Sequence, residues 1–314
     1  MSTGDASTSA SSAADGSSTS DETRYDMALP DLPQGSACNG KIDLVFAVAQ
    51  GGGFLKYLDT LYASYPEILA TIEDVFDDFD LHVIFINPSS MWGAVACPKN
   101  MCPEEGGCPA EDYEDFPCWA LYDDDALTKC DSTMGAGIIF PAGRKGSNKP
   151  CDLPPGQRFI AGDDPFFGER FSCLSHTGYG AGDEQGWALG EALSWDLRGG
   201  CNAGFLRDDA LLFVVYVSGR DDSPYNPYVW AQRVLEAKEY AQDMVVLLGI
   251  GLDLGLDSES PCEGVPTDKK GTTLWLTEEF EHSVFGSKCA PTYAPFFTEA
   301  ATMAAELCAN GPQS

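Results

Sequence analysis

Cations are scarce in this chain. Of its 314 residues only 18 are Lys or Arg, against 49 Asp or Glu, so the formal net charge is -31. No basic stripe interrupts the acidity, which excludes nucleic acid and anionic membrane surfaces as natural partners. Histidine is scarcer still: His82, His176 and His282 are all there is. Paired CxxC knuckles beside histidine are missing, and with them the usual pattern of structural zinc. No G-x-S-x-G elbow, no H-E-x-x-H and no free thiol set beside a histidine can be found, so the chain does not read as an enzyme. No apolar stretch is long enough to span a bilayer. The N-terminus lacks the basic start and apolar core of a signal peptide, so an exported form would be the mature chain.

Cysteine is plentiful. Twelve is an even number: Cys38, Cys97, Cys102, Cys108, Cys118, Cys130, Cys151, Cys173, Cys201, Cys262, Cys289 and Cys308. Many sit beside Pro, Gly or acidic residues in loop-like sequence, which predicts disulfides and an oxidising compartment. The expected location is secreted or at the cell surface, periplasmic or anchored at the outer membrane if the source is bacterial. Abundant surface carboxylates then serve solubility in a salty exterior, where screening acts over roughly 8 Å.

The hydrophobic content of 44% supports one large domain. Residues 1–36, rich in Ser, Thr, Ala, Gly and Asp, bury too little to offset ordering entropy and read as a flexible tether. Such a tether suits a spacer to an anchor, a lipid removed with the leader being one form of it. The body spans 37–310. Ile42 to Val48 is a near-continuous apolar run, as in a strand buried on both faces. After Gln50, Gly51, Gly52 and Gly53, helical spacing runs from Phe54, with Pro66 expected to kink or restart the helix and Ser64 available as a cap. A second strand at 81–86 completes a parallel βαβ unit. Periodicity then fails from about 87 to 171, which reads as a Cys-rich insertion ordered by disulfides. Helix is expected again at 184–193, 229–242, 274–282 and 295–307, and strand at 211–217, 244–250 and 284–285.

The strand Ile42-Asp43-Leu44-Val45-Phe46-Ala47-Val48 with its turn, the strand Leu211 to Ser218 and the order of elements resemble the von Willebrand factor A and integrin inserted domains. The resemblance covers about Cys38 to Cys308, and the cysteine-rich insertion is similar to that of myxobacterial surface proteins. It implies a doubly wound, mainly parallel, Rossmann-like α/β sheet flanked by helices, with a ligand site at the C-terminal strand ends. In that family a D-x-S-x-S turn holds a divalent cation. The matching positions here are Ala49, Gly51 and Gly53, which offer no side-chain oxygen where a hard cation needs several. The family's late Asp falls near Gly219, leaving Asp221 and Asp222 just beyond, and its Thr matches Thr177.

These residues imply a metal-independent protein-binding module with no cofactor and an unidentified protein partner, whose ligand-binding set is Gln50, Gly51, Gly52, Gly53, Thr177, Gly219, Asp221 and Asp222. Cys38 and Cys308 flank the body and could join its ends. One alternative is a cation site rebuilt from Asp221, Asp222 and backbone oxygens. Another is a hydrolase or nucleotide-binding enzyme on a doubly wound sheet, although the G-x-G-x-x-G spacing fails after Gly53. Gly51 to Gly53 read as a tight turn needing positive φ. His82 reads as packed, His176 as a solvent-exposed loop residue and His282 as a helix end. Asp123 to Asp125 and Asp163-Asp164 read as solvated surface. Trp187 and Trp230 are expected in the core.

Overall fold

A computed structural model describes residues 38–51, 54–89, 128–141, 144–147, 149–179, 184–219, 226–253, 262 and 270–310. The first half contains β1 (Lys41–Val48), α1 (Leu55–Val75), β2 (Asp80–Phe85), β3 (Arg144–Gly146), β4 (Ile160–Ala161), α2 (Phe167–Ser175) and β5 (Thr177–Tyr179). The second half contains α3 (Gln185–Ala192), α4 (Trp195–Arg198), β6 (Leu211–Val217), α5 (Pro227–Glu236), β7 (Val245–Gly251), α6 (Thr272–Thr277), β8 (Ser283–Ser287) and α7 (Ala294–Asn310).

Six strands form one sheet in the order β4-β2-β1-β6-β7-β8, parallel throughout except for the short edge strand β4. The apolar runs are continuous because helices cover both faces. Alternation then divides each strand between two cores. Leu44, Phe46, Phe213 and Val215 pack with α1, α2 and α7, while Val45, Ala47, Leu212 and Val214 pack with α3, α5 and α6. The architecture is α/β and compatible with a Rossmann-like fold.

Three expectations change. Pro66 does not restart α1, which runs unbroken for 21 residues. Ser64 therefore caps nothing: its Oγ donates to Thr60 O (2.7 Å) and accepts from Tyr293 N (2.9 Å), tying α1 to the start of α7. Residues 87–171 are not without regular structure, since β3, β4 and most of α2 fall there. These elements are too short for periodicity to reveal. The expected helix at 274–282 stops at Thr277, and His282 instead leads into β8.

Within that stretch, polar side chains do the work of a core. Buried Arg158 pairs with Asp131 (2.7 Å) and donates to Gly137 O (2.7 Å). Asn202 clamps the same segment by accepting from Gly137 N (2.8 Å) and donating to Gly135 O (2.9 Å) and Ala192 O (3.1 Å). Asp164 is not simply solvated: it pairs with Arg170 and accepts from Phe166 N at the start of α2. Among the described residues four disulfides are formed: Cys38–Cys308, Cys130–Cys201, Cys151–Cys173 and Cys262–Cys289. They are consistent with an extracellular or otherwise oxidising environment. Cys97, Cys102, Cys108 and Cys118, the tether, Asp123 to Asp125, Trp92 and Trp119 lie outside the described residues.

The N-terminal end of the sheet is locked by ions. Asp43, on β1, is 0% exposed. Its carboxylate accepts from Arg207 Nε (2.8 Å) and Arg207 N (2.7 Å), with Lys238 Nζ at 4.0 Å. Burial pushes its carboxyl upward, against the pull of Lys238 and Arg207. The Lys238 ammonium donates to Arg207 O and Ala210 O, both at 2.6 Å, and burial lowers its pKa to about 8. His82 is packed as expected, donating from Nδ1 to Phe205 O (2.9 Å) with its ring 4.4 Å from that of Phe159.

Buried tyrosines set the alkaline limit. Burial raises Tyr62 to about 12 and pushes Tyr65 and Tyr293 well above the ordinary phenol range. Unfolded tyrosines ionise near 10 whereas these three hold their protons, so the stability they contribute is complete below pH 10 and is lost as pH rises toward 12. Lys238 has the opposite sign between about 8 and 10.5, where the unfolded chain keeps a proton that the folded one has released. Denaturant unfolding at pH 8 to 12 should therefore show a steep loss only above pH 10. Phenolate absorbance of the folded protein should leave these three tyrosines silent until unfolding.

Candidate functional site at the strand C-termini

Parallel pairing brings four strand ends level. Beyond β1, Ala49 N donates to Val217 O (3.0 Å). Ser218 N donates to Ile250 O (2.9 Å), and Lys288 N to Gly251 O (2.8 Å). The floor is thus Ala49 to Gly51, Ser218 and Gly219, Leu252 and Asp253, and Ser287 and Lys288. A Cβ on Gly251 would meet Thr273 Cβ at 2.5 Å, so glycine there is what lets α6 close on β7.

Of the expected ligand-binding residues, two meet directly: Gln50, buried, donates from Nε2 to Thr177 O at 3.1 Å. Thr177 is itself buried on β5, where Gly178 takes φ +79° and donates from its N to Tyr62 Oη (3.0 Å). No hydrogen bond links this pair to Gly219, whose carbonyl is taken by Lys288 instead. Gly51 is buried and its carbonyl accepts from Phe54 N (3.0 Å). Gly52, Gly53, Asp221 and Asp222 lie outside the described residues. His176 is not free in solvent: it ends α2, donates from Nδ1 to Ser172 O (2.8 Å) and lies 4.5 Å, ring to ring, from Tyr62.

Three polar residues at this end escaped the sequence reading. Lys288 is 2% exposed, donates from Nζ to Gly219 O at 3.3 Å, and lies 5.0 Å from the centre of the Tyr57 ring. Tyr293 Oη fixes its backbone by donating to Lys288 O (2.7 Å). Asp253, 0% exposed, accepts from Ser287 Oγ (2.9 Å). Ser287 Oγ also accepts from Cys289 N (3.2 Å), and the Cys262–Cys289 disulfide joins the segment after β7 to the turn after β8. A usable signal was present: polar residues one or two places beyond an apolar strand belong to the strand-end crevice.

At the opposite end of the sheet, Asp243, Glu281 and His282 bring ligand atoms within 4.8 Å of one another. His282 Nε2 and Asp243 Oδ1 meet at 3.1 Å, an ion pair whenever the ring is protonated.

Comparison with protein-family models, with curated proteins and with solved structures finds no match to this chain.

Proposed function

We propose that the chain is an extracellular or cell-surface protein-binding module, a doubly wound domain of the von Willebrand factor A type that engages a protein partner at the strand ends without a divalent cation. The observation that carries the reading is Lys288. Its amino group is buried against Gly219 O, to which it donates at 3.3 Å, beside the position that matches the resembling family's late acidic ligand. The Gly219 carbonyl oxygen, which a cation held there would need as a ligand, already accepts from Lys288. Gln50 turns inward to Thr177, so in this reading recognition falls to Gly52, Gly53, Asp221 and Asp222. A cation site rebuilt around Asp221 and Asp222 is the second reading, favoured by the buried Asp253 carboxylate at the same end.

The immobilised, oxidised protein should capture the same surface-labelled partner from its source cells in EDTA and in millimolar magnesium. Asp221→Ala with Asp222→Ala should lower capture at least tenfold, while Glu236→Ala leaves it unchanged. Capture lost in EDTA would overturn the metal-independent reading.

A further inference from the structure

α1 and α7 pack side by side over one face of the sheet, their inner positions filled by Tyr65, Ile68, Phe297 and Ala301. Between their outer ridges runs an open groove of about 750 Å³. Its wall carboxylates are Glu67 on α1 and Glu299 and Glu306 on α7, and no Lys, Arg or His lines it. None of the three has a side-chain hydrogen bond or ion pair among the described residues. Among the described cations, Lys41, Lys145 and Arg233 pair with carboxylates outside the groove: Asp209, Asp59 and Glu191. The groove's threonines make no polar demand on a ligand. Thr71 Oγ1 donates to Glu67 O (3.0 Å), Thr298 Oγ1 to Ala294 O (3.1 Å) and Thr302 Oγ1 to Thr298 O (2.8 Å). Met303, Ala294 and Pro295 supply apolar lining.

We propose that this groove docks a cationic amphipathic segment of a partner protein, its apolar side on Met303 and the threonines and its Lys or Arg side chains on Glu67, Glu299 and Glu306. Charge complementarity selects that occupant. A second copy would bring its own net charge of -31. The chain's N-terminal segment is also excluded by sign, with Asp5, Asp15, Asp21, Glu22, Asp26 and Asp31 against Arg24 alone. Glu299 and Glu306 are two helical turns apart, about 10.5 Å along the axis, so a helical partner would match them with cations at i and i+7. The proposal does not rest on the strand-end reading.

The test uses the full chain and a labelled synthetic helix of Leu and Lys with lysines at i and i+7, followed by fluorescence anisotropy at 50 and 300 mM NaCl. Binding that weakens with salt is expected, as is at least a tenfold loss in the Glu67→Gln, Glu299→Gln, Glu306→Gln triple variant. A control triple of equal charge change, Glu169→Gln, Glu236→Gln and Glu239→Gln, should bind within twofold of the parent. Equal loss in both triples would reduce the effect to general acidity and overturn the proposal, as would no binding at 50 mM NaCl. Sedimentation showing a dimer that only the groove triple dissociates would assign the groove to a second copy. A carbodiimide cross-link from a groove carboxylate to the Met1 amine would assign it to the N-terminal segment. Either result would also overturn the proposal.

Discussion

Replacing Asp43 by alanine should cost about 3–5 kcal/mol of unfolding free energy, because it leaves Lys238 buried without its anion and leaves Arg207 with only the more exposed carboxylate of Asp80, at 2.7 Å. Both cations are held in place by other bonds, Lys238 to two carbonyls and Arg207 to Ile42 O (3.0 Å) and Asp80 O (2.8 Å), so neither can swing out to water cheaply. Adding Lys238→Met to Asp43→Ala should recover part of the loss, since it removes one of the stranded charges. Urea unfolding of the two variants checks this. A loss below 1 kcal/mol for the single variant, or a double variant that is worse still, would mean that the network is not what secures the start of β1.

The Cys38–Cys308 bridge gives the second large effect. It closes the chain over a sequence separation of 270 and fastens the end of α7 beside the start of β1, with the two Cα atoms 5.2 Å apart. The remaining disulfides shorten the effective loop, so the double variant Cys38→Ser, Cys308→Ser should lose about 3–5 kcal/mol. By contrast, Cys151–Cys173 spans only 22 residues, and its removal should cost less by the loop-closure contribution alone, about 2 kcal/mol. Denaturant midpoints of the two double-serine variants test the ranking. The same losses in the same order would also show that both bridges form in the oxidised protein.

The sheet was legible because buried parallel strands announce themselves. Ile42 to Val48 and Leu211 to Val217 are apolar at nearly every position, and both proved to be central strands. The pairing of Cys38 with Cys308 was also within reach, since the two cysteines bracket the folded body. What stayed hidden was local and polar. Strands of two or three residues such as β4 carry no period, and the order around 128–161 comes from Arg158, Asp131 and Asn202, whose partners are distant in sequence. Pro66 suggested a break that tertiary packing overrides.

At the strand ends, the turn after β1 and the end of β6 pointed to Gln50 and Gly219 and the resemblance to Thr177, and the structure brings Gln50 onto Thr177 O. The sequence could not show that Gln50 turns inward, because its partner, Thr177 O, is 127 residues away in sequence. Lys288 was missed because β8 is short and its residues alternate in burial, so the position after it did not read as a strand end.

Thermal unfolding of the oxidised protein in EDTA, and then in millimolar magnesium, calcium or manganese at fixed ionic strength, tests the central claim most directly. A cation held at 100 times its dissociation constant would add about 2.7 kcal/mol, a rise of roughly 5–10 °C for a domain of this size. The account predicts no shift with any of the three. A rise that persists in Asp221→Asn, Asp222→Asn but disappears in His282→Ala would place the cation at the Asp243, Glu281 and His282 trio and leave the strand-end reading intact. A rise abolished by Asp221→Asn and Asp222→Asn would contradict it.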